Sequence, residues 1–137
     1  MQDHEISDVL KQVKTIALVG ASDNPGRPSY GVMAYLLAQG YQVTPVSPKL
    51  AGQKLLGQTV YAKLADIPHS VDMVDVFRNS EAALGVAQEA IAIAAKVLWL
   101  QIGVFNEQAA VLARDANMKV IMDRCPKIEI PRLGLEH

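Results

Sequence analysis

The chain has 137 residues, 50% of them hydrophobic and 20% charged, which is enough apolar side chain for one compact core and too little length for two domains joined by a linker. A formal net charge of -1 offers no basic surface for nucleic acid or an anionic membrane. The single cysteine, Cys125, excludes an internal disulfide and fits a reducing compartment.

Met1 to Lys14 lacks the continuous apolar core of a secretion signal, and no later stretch reaches the roughly 18 to 20 unbroken apolar residues of a membrane helix, so a cytoplasmic location is expected. Ile6, Val9, Leu10 and Val13 recur at helical spacing and predict an opening helix. The apolar run Thr15 to Val19, stopped by Gly20, predicts a strand. From Ser29 to Gln39, Val32, Met33, Leu36 and Leu37 line one helical face, and Gly40 supplies the left-handed stop. A strand over Gln42 to Val46 follows. The next stretch, through Leu56 and Tyr61, is poorly periodic, with room for one short strand. Val71 to Phe77 then reads as a buried strand.

Ser80 is the expected N-cap of a helix over Glu81 to Ala94, whose inner face carries Ala83, Leu84, Ala87, Ala90, Ile91 and Ala94. Val97 to Leu100 predicts a strand with Trp99 in the core. Asn106 caps a helix reaching about Ala116, and Val120 to Met122 forms the last strand. Such alternation predicts an α/β, Rossmann-like fold: a doubly wound parallel sheet of five or six strands flanked by helices, in one domain over residues 1–134. The ending Leu135-Glu136-His137 has the look of an expression-tag remnant.

In open parallel sheets ligands bind beyond the carboxyl ends of the strands, which gives most weight to the segment Gly20-Ala21-Ser22-Asp23-Asn24-Pro25-Gly26-Arg27-Pro28-Ser29. Its small residues permit a tight turn with backbone N–H groups open to an anion, and the following helix directs its positive end there. Arg27 is placed to pair with a phosphate oxygen, and Ser22 and Ser29 to donate hydroxyl hydrogen bonds or cap the helix. Neither familiar phosphate motif fits. The dinucleotide fingerprint needs a third glycine beside Gly20 and Gly26, and the Walker A spacing and its Lys-Ser/Thr are missing. The plainer reading of the segment is a simple turn.

A NAD site carries an acid about 20 residues past the glycines, to hold the ribose hydroxyls. This chain has Val46-Ser47-Pro48-Lys49 there. A cation at that point suits a phosphorylated ribose, as in the 3′-phosphate of coenzyme A or the 2′-phosphate of NADP.

The segments Ile16 to Ser22, Arg27-Pro28-Ser29-Tyr30, Pro45 to Lys49, Val74 to Arg78 and Gln101-Ile102-Gly103-Val104 resemble those of small bacterial CoA-binding domain proteins, over nearly the whole chain. That family is similar to the N-terminal CoA-binding domain of the succinyl-CoA synthetase alpha subunit. The resemblance implies a Rossmann-like fold with coenzyme A at the strand ends. It places Gly20, Ala21, Ser22 and Arg27 around the phosphates, with Ser29 and Tyr30 in the same motif, and Lys49 near the adenosine portion, with Ser47 and Pro48 as cofactor-binding residues of the same segment. Phe77, Arg78 and the turn Gln101, Ile102, Gly103 would border the remaining cofactor path. Ser47 departs from the asparagine of many relatives but keeps a small polar group.

The synthetase's second domain, with its phosphorylated histidine, has no counterpart here. His4 lies near the N-terminus and His69 in a turn, and no Ser-His-Asp order or metal-ligand spacing is visible. Cys125 reads as a packing residue, with a mixed disulfide to CoA as the sharper alternative. Asp72, Asp75 and Asp123 offer a possible carboxylate cluster, although strand-end aspartates commonly brace turns. The expectation is therefore a protein that binds CoA or an acyl-CoA without turnover, as carrier, sensor or regulatory module with an unidentified protein partner. The enzyme alternative is an NADP-dependent oxidoreductase using the same loop.

Overall fold

The computed structural model describes residues 2–137. Helix α1 (Asp3–Gln12) leads into β1 (Thr15–Val19), α2 (Pro28–Ala38) and β2 (Gln42–Val46), followed by a hairpin of β3 (Lys54–Leu55) and β4 (Gln58–Thr59). The remainder alternates β5 (Met73–Val76), α3 (Ala83–Ala92), β6 (Val97–Leu100), α4 (Glu107–Asp115), β7 (Lys119–Ile121) and α5 (Pro126–Arg132).

Five strands form one parallel sheet in the order β2-β1-β5-β6-β7. From β1 the chain moves outward to β2 and then returns to the other side of β1 to lay down β5. The β1/β5 junction is therefore the topological switch point, where open α/β sheets leave a crevice at their carboxyl ends.

The sheet separates two cores, because successive side chains alternate between its faces. Ala17, Val19, Val74, Val76, Leu98 and Leu100 face one side, where the alanine-rich surfaces of α3 and α4 pack. Ile16, Leu18, Met73, Val97 and Trp99 face the other, against α1, α2 and α5. The Trp99 indole N–H donates to the Arg124 carbonyl at 2.8 Å, satisfying the one polar atom that the ring buries. The α/β architecture, the five-stranded parallel sheet and helices on both faces agree with the sequence expectation.

Four details differ from it. Asn79 rather than Ser80 caps the third crossover: its Oδ1 accepts from Ala82 N–H at 2.8 Å, and a 3₁₀ turn over Ser80–Ala82 precedes α3. Ser80 instead ties two loops, its Oγ accepting from Phe105 N–H at 2.9 Å. Ala94 has a φ of 58° and lies outside α3. The weakly periodic stretch builds the separate β3–β4 hairpin, which meets the main sheet through a parallel bridge between Val46 and Tyr61. Finally, α5 is not legible in the sequence because it has only seven residues and Pro131 interrupts its pattern. Its buried Glu129 takes two hydrogen bonds from Arg132, at 3.1 and 2.8 Å, and the same guanidinium donates to Asp3 of α1 at 3.0 and 2.9 Å, tying the two helices. Among the described residues no helix is long and apolar enough to cross a membrane.

Candidate functional site

At the switch point β1 ends on Gly20, whose φ of +92° lies in the left-handed region. A β-carbon there would stand 2.6 Å from the Phe77 carbonyl oxygen and 2.9 Å from its carbonyl carbon. Only glycine lets the two strand ends approach this closely. The N–H groups of Gly20 and Ala21 both donate to the Val46 carbonyl, at 3.1 and 3.2 Å. That corrects the expectation that they face an anion. These two residues shape the floor, and the loop N–H groups without an internal acceptor are those of Ser22, Asp23 and Ser29.

Beyond Ala21 the loop is braced by its own side chains. Asn24 N–H donates to Ser22 Oγ at 3.1 Å and Gly26 N–H donates to Asn24 Oδ1 at 2.9 Å. The Ser22 hydroxyl thus spends an acceptor site internally and keeps its proton to donate. No side chain caps α2; its first residue, Pro28, has no N–H and Tyr30 N–H donates to the Arg27 carbonyl at 3.1 Å, so the Ser29 N–H is what the first turn leaves for solvent or a bound anion.

Two joined lobes open around this loop. The smaller, about 390 Å³, lies among Gly20 to Asp23, Arg27 to Ser29, Ser47, Lys49, Leu50 and Phe77. The larger, about 710 Å³, shares Gly20, Ala21, Arg27, Ser47, Lys49 and Phe77 and extends over Pro48, Lys63, Arg78 and Glu89. Val46, Leu64 and Val86, all buried, give this lobe an apolar wall. Four cations, Arg27, Lys49, Lys63 and Arg78, border the two lobes. The ion pairs among the described residues use Lys96, Arg114, Arg124 and Arg132, and none of the four cavity cations.

Sequence reasoning anticipates much of this lining, but the structure does not gather every residue it names. Tyr30, Gln101, Ile102 and Gly103 line neither lobe. Gln101 is buried with its Oε1 unpaired, while Ile102 is 57% exposed. Gly103 N–H donates to Asp123 Oδ1 at 2.8 Å, tying the ends of β6 and β7 together. Conversely, Leu50, Lys63 and Glu89 are lining residues that sequence reasoning misses. Lys63 follows Tyr61, whose carbonyl accepts from Ser47 N–H at 2.9 Å, so a long-range bridge with no local sequence signal delivers it. Glu89 sits one helical turn after Val86 on α3 and is visible in the sequence only as a polar residue on an amphipathic helix.

The three aspartates do not form a cluster. Asp72 accepts from the N–H groups of Lys14 and Thr15 at the amino ends of the strands, Asp123 braces the opposite end, and Asp75 is fully buried between them. Both Asp75 oxygens lack a partner, and burial pushes its carboxyl well above the ordinary range. Among the described residues no group of His, Cys, Asp and Glu could hold a metal ion. His4 belongs to the first turn of α1, and His69 bridges the Ser70 carbonyl and the Thr44 hydroxyl at 2.9 and 3.3 Å. Cys125 is buried at the start of α5.

Comparison with known proteins bears on this arrangement. Residues 14–131 match the family described as "CoA binding domain". The chain is 39% identical over 124 residues to the uncharacterised protein YneT of Bacillus subtilis, covering 90% of both chains. It is 34% identical over 70 residues to the ADP-forming acetate–CoA ligase I subunit alpha of Pyrococcus furiosus, spanning 48% of this chain and 15% of that protein. Among solved structures, a hypothetical protein from Pyrococcus horikoshii superposes with a TM-score of 0.93 at 37% identity, over 98% of this chain and 93% of that one.

Proposed function

Because the chain belongs to the CoA binding domain family, we propose that it binds coenzyme A or an acyl-CoA across the two lobes at the β1/β5 switch point, as a carrier, sensor or regulatory module. The observation that carries this reading is the set of four cations, Arg27, Lys49, Lys63 and Arg78, standing around the cavity without carboxylate partners among the described residues. Unpaired cations converging on a concave site favour a polyanion, and coenzyme A carries a diphosphate and a 3′-phosphate.

In this reading the diphosphate lies in the smaller lobe, against the Ser22 hydroxyl, Arg27 and the uncapped first turn of α2. The 3′-phosphoadenosine occupies the larger lobe, its base against Val46, Leu64 and Val86 and its phosphate near Lys49, Lys63 and Arg78. The rest of the ligand leaves past Phe77 toward the Gln101 to Gly103 turn. The 2′-phosphate of NADP would use the same cations, and family membership is what favours coenzyme A over it. We assign no turnover to the chain, since neither His nor Cys lines either lobe and the Ser22 oxygen has no base beside it in the loop's hydrogen bonding.

Native mass spectrometry of the protein with equimolar CoA or NADP tests the assignment. One CoA mass per chain, and no retained NADP under the same conditions, is expected. Retention of NADP in preference to CoA would reverse the reading.

A further inference from the structure

The larger lobe contains one carboxylate, Glu89, among cations. It has no ion-pair partner among the described residues, and the positions three and four away on α3 and beyond, Gly85, Val86, Ala92 and Ile93, carry no basic side chain to hold it. For phosphate binding alone this negative charge is unfavourable, because it opposes the field that Arg27, Lys49, Lys63 and Arg78 set up. A carboxylate there suits a part of the ligand that offers a hydrogen-bond donor. Val86, one turn earlier on the same face of α3, is buried in the wall of the lobe, so Glu89 projects at the rim of the apolar surface suited to a flat base.

We propose that Glu89 is a specificity-determining residue that selects a base bearing an exocyclic amino group, its carboxylate accepting the N–H of the adenine 6-amino group. This rests on the CoA reading above. An anionic oxygen can only accept, so a keto oxygen at position 6 meets it lone pair to lone pair, and such a base binds less well because it must shift to offer its ring N1–H instead. The apolar wall supplies affinity for any flat ring, and Glu89 supplies the choice between rings.

Calorimetric titration with CoA and with its analogue carrying hypoxanthine for adenine tests this. The unaltered protein should favour CoA by about tenfold, the scale of one hydrogen bond to a charged acceptor. Glu89→Ala should bring the two ligands to within about twofold. Glu89→Gln, whose amide can also donate, should raise the affinity for the analogue; the side chain is exposed, so neither variant perturbs the core. Equal affinities in the unaltered protein, or a Glu89→Ala change that weakens both ligands equally, would overturn the assignment while leaving the CoA reading intact. Failure of either ligand to bind the unaltered protein overturns both.

Discussion

Gly20 and Phe77 approach so closely that a β-carbon on the glycine would lie 2.6 Å from the phenylalanine's carbonyl oxygen. The contact joins the carboxyl ends of β1 and β5, and Phe77 N–H donates to Val19 O at 2.8 Å directly beside it. Any side chain at position 20 must push backbone rather than a flexible tip. It must also hold a φ of +92°, which costs a non-glycine residue about 1–2 kcal/mol before any clash. Gly20→Ala should therefore destabilise the fold by about 2 kcal/mol or more and displace the Gly20 to Ser29 loop at the mouth of the cavity. Thermal denaturation should show a fall of several degrees; an unchanged melting temperature would mean that the two strand ends have room to part.

Asp75 predicts a pH dependence. Burial raises its folded pKa well above the ordinary 3.8, so the folded state holds a proton that the unfolded state has released. Its contribution is most favourable below the unfolded pKa and is lost as pH rises toward the folded one, at up to about 1.4 kcal/mol per pH unit. A carboxamide at this position does not titrate, so the stability of Asp75→Asn relative to the unaltered protein should improve as pH rises above the unfolded carboxyl's ordinary range near 3.8. Denaturant unfolding at several pH values measures the difference, and parallel pH profiles for the two proteins would refute it.

Lys63 is exposed, borders only the larger lobe, and has no structural partner among the described residues. Lys63→Met should leave stability within about 0.5 kcal/mol. It should weaken CoA binding roughly fivefold at low ionic strength, and by less in high salt, where the attraction is screened. A titration series against salt concentration checks both the size and the slope. A loss of affinity that ignores salt would assign Lys63 a packing role.

Asn106 has two jobs away from the lobes: its Oδ1 accepts from Ala109 N–H and its Nδ2 donates to the Ser80 carbonyl, both at 2.9 Å. Asn106→Ala should cost about 1–2 kcal/mol through the lost cap of α4 and leave CoA affinity within about twofold. Thermal shift with and without CoA separates the two effects, and a large affinity loss would show that the β6–α4 loop belongs to the site.

What the sequence disclosed depended on whether a signal was local. The apolar runs of β1, β5 and β6 are buried on both faces, so they stand out without alternation, and Gly40 and Asn106 mark helix ends by residue type alone. Asn79 and Ser80 are adjacent and both competent to cap, so only the folded geometry decides which side chain reaches Ala82. The Gly20 to Ser29 loop is recognisable as a tight turn before a helix, but the engagement of the Gly20 and Ala21 N–H groups by Val46 depends on strand pairing across the sheet. Lys63 and Glu89 reach the cavity through the Val46–Tyr61 bridge and the packing of α3, both of which are tertiary. The β3–β4 strands are two residues each, too short for any periodicity.

The central claim, that the four unpaired cations serve a 3′-phosphorylated CoA ligand, is tested most directly by calorimetric titration of the protein with CoA and dephospho-CoA under identical conditions. The account predicts one site per chain and at least about tenfold tighter binding of CoA, reflecting charge-assisted contacts to the 3′-phosphate. Equal affinity for the two ligands, or no binding of either, would contradict it.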